Sequence, residues 1–464
     1  MATETSKADH YNSQLFLKNL LHSLQHRFTT YIRAKRPTTS TGVGYPGDLP
    51  FKLETGYVSV GKWDDVDLFY YFIESEGNPG EDPLVLWLTG GPGCSSFCGL
   101  VYEIGPLHFD TEHFDGKFPN LTLNPFSWTK VANIIFLDAL IGTGFSYADN
   151  VESYVVDDLL SAIYNYNFLL KWLMDHPTFL SNELYVGGDS YSGIIVPIIV
   201  QKTYDGNSEV GVRRLLKLLG YILGNPLTSQ HDDKNARIEF AHWLALLSDK
   251  LYESIKHNCH GEYVNIDPNN GSCIKDLTQV TECLANLDTA QILEPNCAYA
   301  SKNSSKLKWD KRFIEEEPTD FLLLPELPKF WCRVILSLWS DKLFTSEREQ
   351  RKNGRGATSP WPIQKSSSIA SITTENLSHT TLRALIYTGD HDMLVPYLGT
   401  HKWIESLGLT VDEEWRTWFV DGQNGGYTMS YVKKGYHLTF ATLKGGGHTA
   451  LEYKPKEALA MIKM

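Results

Sequence analysis

Ser190 stands in the run Gly187-Gly188-Asp189-Ser190-Tyr191-Ser192-Gly193, between the short apolar stretch Leu184 to Val186 and the longer one Ile194 to Val200. A serine hydroxyl becomes a useful nucleophile only when a base takes its proton and when it stands clear of the main chain. A sharp turn from strand into helix gives that exposure, and small residues must flank it because the backbone there is strained. The general pattern is G-x-S-x-G. Here Gly188, Ser190 and Ser192 hold its three fixed places, with Gly193 one further on. An ordinary glycine-rich turn has the same letters, so the partners decide the reading.

Two later loops offer partners. Gly389-Asp390-His391-Asp392 follows the apolar run Leu385 to Tyr387, and Gly445-Gly446-Gly447-His448 follows Leu438 to Thr442. The order serine, aspartate, histidine, with the last two on loops after late strands, is that of an α/β-hydrolase triad. In that arrangement His448 takes the Ser190 proton as general base, while Asp392 fixes the imidazole tautomer and stabilises the imidazolium. Asp390 is the rival carboxylate. Asp392 is preferred because it lies further along the loop, nearer the turn toward the histidine. His391 reads as a solvated loop histidine, since no glycine turn delivers it. The oxyanion of an acyl-transfer intermediate needs backbone N–H donors, one of them on the residue after the nucleophile. That makes Tyr191 one donor. Gly91, in the loop Gly90-Gly91-Pro92-Gly93 after the apolar run Leu84 to Leu88, is the expected second.

The elements that position these loops follow from the apolar pattern. Tyr57 to Val60 and Asp67 to Ile73 predict antiparallel strands around Asp64-Asp65. Leu84 to Leu88, Asn133 to Leu137, Leu184 to Val186, Leu385 to Tyr387 and Leu438 to Thr442 are short continuous apolar runs, separated by helical stretches such as Val155 to His176. Strands buried on both faces and alternating with helices predict a mostly parallel central sheet flanked by helices, the α/β class. Residues 1–50 read as a lead segment, 51–226 as the first part of the core, 227–340 as a helical cap inserted over the sheet, and 341–464 as the second part of the core.

Lys and Arg number 42 against 55 Asp and Glu, a net charge of −13, which argues against nucleic acid as a partner. The longest apolar runs are far too short for a membrane span. No His/Cys cluster has ligand spacing and Gly445 to Gly447 lacks the partner residues of a phosphate loop, so no metal or cofactor is expected. Met1 to His10 is polar, and Leu15 to Leu24 is interrupted by Lys18, Asn19 and His22, which reads as a weak amphipathic helix rather than a secretory leader. Seven cysteines point the other way: Cys94, Cys98, Cys259, Cys273, Cys283, Cys297 and Cys332, joined by glycosylation sequons at Asn120, Asn270, Asn303 and Asn376. Together they favour an oxidising secretory route.

Long motifs in a fixed order resemble the serine carboxypeptidase family. They are Trp87 to Ser96, Gly142-Thr143-Gly144-Phe145-Ser146-Tyr147, Gly188 to Gly193, Gly224-Asn225-Pro226, Gly389 to Asp392 and Gly446-Gly447-His448. The likeness runs from about Pro50 to Pro455, and within it the chain looks most like the plant serine carboxypeptidase-like acyltransferases. Peptidases of the family typically carry Asn at Thr89 and Glu at Asp189. With a Glu matching Glu103, and Gly90 beside them, those residues hold the substrate's terminal carboxylate. The resemblance therefore implies transfer of an acyl group from a 1-O-β-glucose ester to a hydroxyl acceptor, with a carboxypeptidase or a catalytically idle binding protein on the same fold as alternatives. It also implies a secretory route that ends in the vacuole or outside the cell, and disulfides Cys94–Cys332, Cys259–Cys273 and Cys283–Cys297, leaving Cys98 as a buried core thiol. A monomer is expected, or a two-chain form if the polar, basic stretch Lys302 to Lys311 is clipped. The chain departs from its relatives at Leu140-Ile141, where they usually have Pro-Val, and at Leu451, where a proline is common.

Overall fold

The computed structural model describes residues 48–109, 121–208, 216–294 and 367–464. Its centre is one eleven-stranded mixed sheet. The strands are β1 (Leu53–Val60), β2 (Val66–Ile73), β3 (Leu84–Leu88), β6 (Asn133–Leu137), β7 (Tyr147–Ala148), β8 (Leu184–Asp189), β9 (Leu218–Gly224), β10 (Arg383–Gly389), β11 (Thr410–Val420), β12 (Gln423–Lys433) and β13 (Tyr436–Leu443), while β4 (Leu107–Phe109) and β5 (Leu121–Leu123) pair separately. The order across the sheet is β1-β2-β6-β3-β8-β9-β10-β13-β12-β11, with β7 beside β2. The six strands β6, β3, β8, β9, β10 and β13 are mutually parallel. Antiparallel hairpins flank them, β1-β2 on one side and β11-β12 on the other. All five residues of β3 and of β6 are buried, as strands covered on both faces require.

Helices cover both faces. On one lie α1 (Asp158–Asp175) and α2 (Ser192–Ser208). Asp157 caps α1 by accepting the Leu160 N–H at 2.7 Å, and Phe168, Leu169, Trp172 and Leu173 bury its inner face. The other face is packed by Trp87, Phe136, Ala450 and Leu459. Between β9 and β10 the chain leaves the sheet and forms α3 (Gln230–Trp243), α4 (Asp249–Cys259) and α5 (Gly271–Leu284). These helices have their own core of Ile238, Phe240, Ile255, Val280 and Leu284, and that core includes Met393 and Leu398 from the stretch after β10. A further helix, α6 (Ser367–Leu377), precedes β10; α7 (Tyr397–Ser406) follows it, and α8 (Ala450–Tyr453) and α9 (Pro455–Ile462) close the chain.

The cysteines require two corrections. Cys259 and Cys273 form a disulfide, tying the end of α4 to the first turn of α5. Cys94, expected to bond Cys332, is a free buried thiol, and Cys98 is the disulfide-bonded residue, its partner lying outside the described residues. Cys94 faces inward: its N–H donates to Gly90 O, and a Cβ on Gly91 would stand 2.9 Å from its Sγ. Cys283 is likewise free and exposed rather than bonded to Cys297, because Val280 and Leu284 take the buried face of α5. Of the sequons, Asn270 caps α5 and Asn376 is exposed on α6. Asn120, Asn303, Cys297, Cys332 and Lys302 to Lys311 lie outside the described residues.

Candidate active site

Because β3, β8, β9, β10 and β13 run parallel, the loops after them emerge at one edge of the sheet. Strand β8 ends at Asp189 and α2 begins at Ser192, leaving two residues for the turn. Ser190 takes φ +54°, a left-handed conformation that a non-glycine residue keeps only when its surroundings hold it. They do: its N–H donates to Gly224 O at 2.8 Å, and its carbonyl accepts from Gly193 N–H at 3.0 Å and Leu227 N–H at 2.9 Å. A Cβ on Gly188 would stand 2.5 Å from Leu88 O and 2.7 Å from Ser192 Cβ. One on Gly193 would stand 2.7 Å from both Leu227 O and Pro226 Cβ. Ser192 fits where the general pattern has glycine, its hydroxyl donating to Leu88 O at 3.2 Å.

The structure brings Ser190, His448 and Asp392 into one line. His448 Nε2 is 2.8 Å from Ser190 Oγ and its Nδ1 is 2.8 Å from Asp392 Oδ2, with the imidazole and the carboxylate both buried. Asp392 Oδ1 accepts the N–H groups of Leu394 at 2.7 Å and Val395 at 3.1 Å. Its Oδ2 also accepts from Asn225 Nδ2 at 2.7 Å. Four donors fix the orientation of this buried carboxylate. Asp390 serves elsewhere, accepting from Gly445 N–H at 2.6 Å. His391 Nδ1 lies 2.7 Å from Asp390 Oδ1, so this histidine is half-buried against Asp390 rather than solvated.

The loop after β3 crosses directly over the serine. A Cβ on Gly90 would stand 2.6 Å from Ser190 Cβ and 2.7 Å from Tyr191 N, so only glycine fits. Gly91 follows with φ +115°. Among the described residues neither the Gly91 nor the Tyr191 amide donates to an acceptor of this chain. The trailing end of the loop is fixed by Asp138, which is fully buried and accepts from Ser95 Oγ at 2.7 Å, Ser96 N–H at 3.0 Å and Phe145 N–H at 2.9 Å. Burial pushes the Asp138 carboxyl up to about 6.

Thr89, Gly90, Glu103 and Asp189 gather beside the same turn. Asp189 is 5% exposed, and its Oδ1 accepts from Gly90 N–H at 3.1 Å. Burial pushes this carboxyl up to about 6, against the pull of His448 and of the Gly90 N–H. Glu103, on a π-helical turn and also buried, is pushed well above the usual carboxylate range by burial and then by Asp189. The Thr89 hydroxyl is buried without a hydrogen-bond partner among the described residues.

Three contributions were not foreseen from the sequence. Asp138 could have been suspected from its place between a strand end and the Gly142 to Tyr147 motif. Asn225 belongs to the Gly224-Asn225-Pro226 motif, whose letters alone do not point to the triad. The segment Thr289 to Ile292, at the end of the inserted helices, had no signal at all, because it acts mainly through its backbone. Thr289 O accepts from Met393 N–H at 2.9 Å, Ala290 O from His448 N–H at 2.6 Å, and Ile292 N–H donates to His391 O at 3.3 Å. Gln291 Nε2 adds a bond to Gly445 O at 3.1 Å.

Comparison with known proteins agrees with this geometry. The family model for serine carboxypeptidases matches residues 44–464. Serine carboxypeptidase-like 16 of Arabidopsis thaliana is 42% identical over 429 residues, covering 90% of this chain and 91% of that protein. Serine carboxypeptidase-like 11 of the same plant is 44% identical over 420 residues, covering 90% and 92%. Among solved structures, the prohormone-processing carboxypeptidase Kex1(delta)p of Saccharomyces cerevisiae is similar with a TM-score of 0.60 at 17% identity, covering 89% of this chain and 90% of that one, which speaks to the fold.

Proposed function

Within the serine carboxypeptidase family, to which this chain belongs, we propose that it is an acyltransferase carrying an acyl group from a 1-O-β-glucose ester to a hydroxyl acceptor. Ser190 Oγ attacks the ester carbonyl as His448 takes its proton, and the developing oxyanion faces the Gly91 and Tyr191 amides. The C–O bond to glucose breaks, with His448 returning the proton to the leaving oxygen. The acceptor hydroxyl then gives its proton to His448 and attacks the acyl-serine, and the new ester leaves as Ser190 regains the proton.

The observation that carries this reading is the state of the carboxylate-binding corner. Thr89 has no carboxamide to offer, and Asp189, one methylene shorter than glutamate, is turned onto the Gly90 N–H. A peptidase needs those groups free to grip a peptide's terminal carboxylate. One feature favours the carboxypeptidase alternative: the raised carboxyls of Asp189 and Glu103 would share a proton with such a substrate at acid pH. The secretory route is supported by the disulfides at Cys98 and Cys259–Cys273, and Asn376 is the proposed glycan acceptor. Among the described residues no helix is long and apolar enough to cross a membrane.

The test is a mixture of 1-O-acyl-glucoses, a pool of hydroxyl acceptors and a blocked dipeptide, run beside Ser190→Ala. New acyl conjugates that vanish with the mutation establish the transferase and name both substrates. Release of a C-terminal amino acid without conjugates makes it a peptidase. No turnover of any substrate by folded protein would leave the non-catalytic reading.

A further inference from the structure

Asn225 sits at the tip of β9, the strand between the one that delivers Ser190 and the one that delivers Asp392. It is fully buried and takes φ +41°, a left-handed conformation that asparagine tolerates better than most residues. Its N–H and its carboxamide are committed to β10 and the loop that follows it. Its N–H donates to Tyr387 O at 2.8 Å, its Oδ1 accepts from Gly389 N–H at 3.3 Å, and its Nδ2 donates to Asp392 Oδ2 at 2.7 Å. That last oxygen is the same one that faces His448 Nδ1 at 2.8 Å.

From this geometry we infer that Asn225 is a positioning residue of the proton relay, fixing the place of Asp392 Oδ2 and tempering the negative charge it presents to His448. The inference rests on the Ser190–His448–Asp392 reading given above. Two donors share one carboxylate oxygen, so each draws on its charge. Removing the amide leaves more charge on Oδ2, which stabilises the imidazolium and makes His448 a base only at higher pH. It also frees the carboxylate to rotate about the two N–H bonds on its other oxygen. Of the other titratable groups, Asp189 beneath the turn acts on His448 directly and Glu103 stands behind it; Asp390 and His391 pair with each other on the Asp392 loop, Asp288 accepts the Ala290 N–H, and Glu452 on α8 accepts the Thr449 hydroxyl. Among the described residues none of them hydrogen-bonds to Asn225.

The experiment measures the acylation burst with p-nitrophenyl acetate, a small activated ester that needs no natural substrate, across pH 4 to 9. Asn225→Gly suits the left-handed backbone and removes the carboxamide. It is expected to lower the burst rate about tenfold, the factor that corresponds to about 1.4 kcal/mol, with the apparent KM little changed and the acid limb moved to higher pH. Asn225→Asp is nearly isosteric. Its carboxyl can share one proton with Asp392 while acid, since two carboxylates so close do not both ionise. It is expected to retain the burst at acid pH and to lose it as that proton leaves. A folded Asn225→Gly with an unmoved acid limb and a burst within twofold of wild type overturns the inference. So does Asn225→Asp with an unchanged pH profile, whether or not the glycine variant folds. A burst that survives Ser190→Ala refutes the triad reading itself, and does so without reference to Asn225.

Discussion

The buried carboxyl of Asp189 makes the protein's stability depend on pH in a direction opposite to that of an ordinary salt-bridged aspartate. Burial raises it from 3.8 to about 6, with His448 and the Gly90 N–H opposing the rise. A raised carboxyl binds its proton more tightly in the folded state than in the unfolded one. Folding therefore takes up a proton between the two values, and stability falls as pH rises from about 4 to about 6. The gap corresponds to up to about 3 kcal/mol for this one group. Asp189→Asn removes the titration while leaving a side-chain oxygen for the Gly90 N–H. It also relieves Glu103, whose own rise owes something to Asp189. The variant should match wild type near pH 4 and become more stable by up to about 3 kcal/mol at pH 7.5, read from urea unfolding at both pH values. If the stability difference between variant and wild type is the same at the two pH values, Asp189 is not the buried, proton-retaining group described here. The variant also probes the proposed site: acylation of Ser190 by a small activated ester should survive, because the Gly90 contact is kept.

Gly90→Ala should fold yet lose acylation by a factor of at least about 100, the scale on which a disturbed oxyanion site acts, since its Cβ would press on Ser190 Cβ and Tyr191 N; stopped-flow burst kinetics beside circular dichroism checks this. Gln291→Ala removes the bond to Gly445 O and should lower stability by about 1 kcal/mol and the burst rate severalfold, read from thermal melts and the same burst assay. Paired Cys259→Ser and Cys273→Ser open a loop of sequence separation 14 and should cost about 3 kcal/mol, measured by denaturant unfolding, with the burst rate of the folded protein retained.

What was legible in the sequence is what depends on sterics over a few residues. Gly188 and Gly193 announce the turn because a Cβ at either would meet a backbone carbonyl oxygen, and a constraint of that kind leaves its mark in the letters. Most of the parallel strands were readable, since runs such as β3 and β6 are buried throughout; β9, which begins with two only partly buried residues, was not among the predicted runs. The edge hairpin was not: β11 exposes its first seven residues on both faces, so it carries no alternation. The disulfide of the loop after β3 was misassigned because Cys94 and Cys98 lie four apart on one loop, and only the inward turn of Cys94 against Gly91 separates them. The strap from Thr289 to Ile292 holds His448 and the Asp392 loop chiefly through carbonyls and amides that any residue possesses. No side-chain pattern could reveal it.

The sheet order places a fourth residue between the serine and the aspartate. Ser190 leaves β8, Asp392 follows β10 and His448 follows β13, while in space the sequence of strands is β8, β9, β10, β13. The strand between serine and aspartate therefore stands in the gap the relay must span. Its end is already tied to both sides, with Gly224 O taking the Ser190 N–H and the Asn225 N–H reaching Tyr387 O. A small apolar residue at that tip would leave the inner oxygen of Asp392 facing empty space at a point buried from water, where an unmet carboxylate lone pair is costly. A bulky one would press into the Asp392 loop. A carboxamide of asparagine's length meets the oxygen with a donor and the Gly389 N–H with an acceptor. In the proposed reading, the four adjacent strand ends thus supply nucleophile, spacer, carboxylate and base in the order in which the sheet lays them side by side.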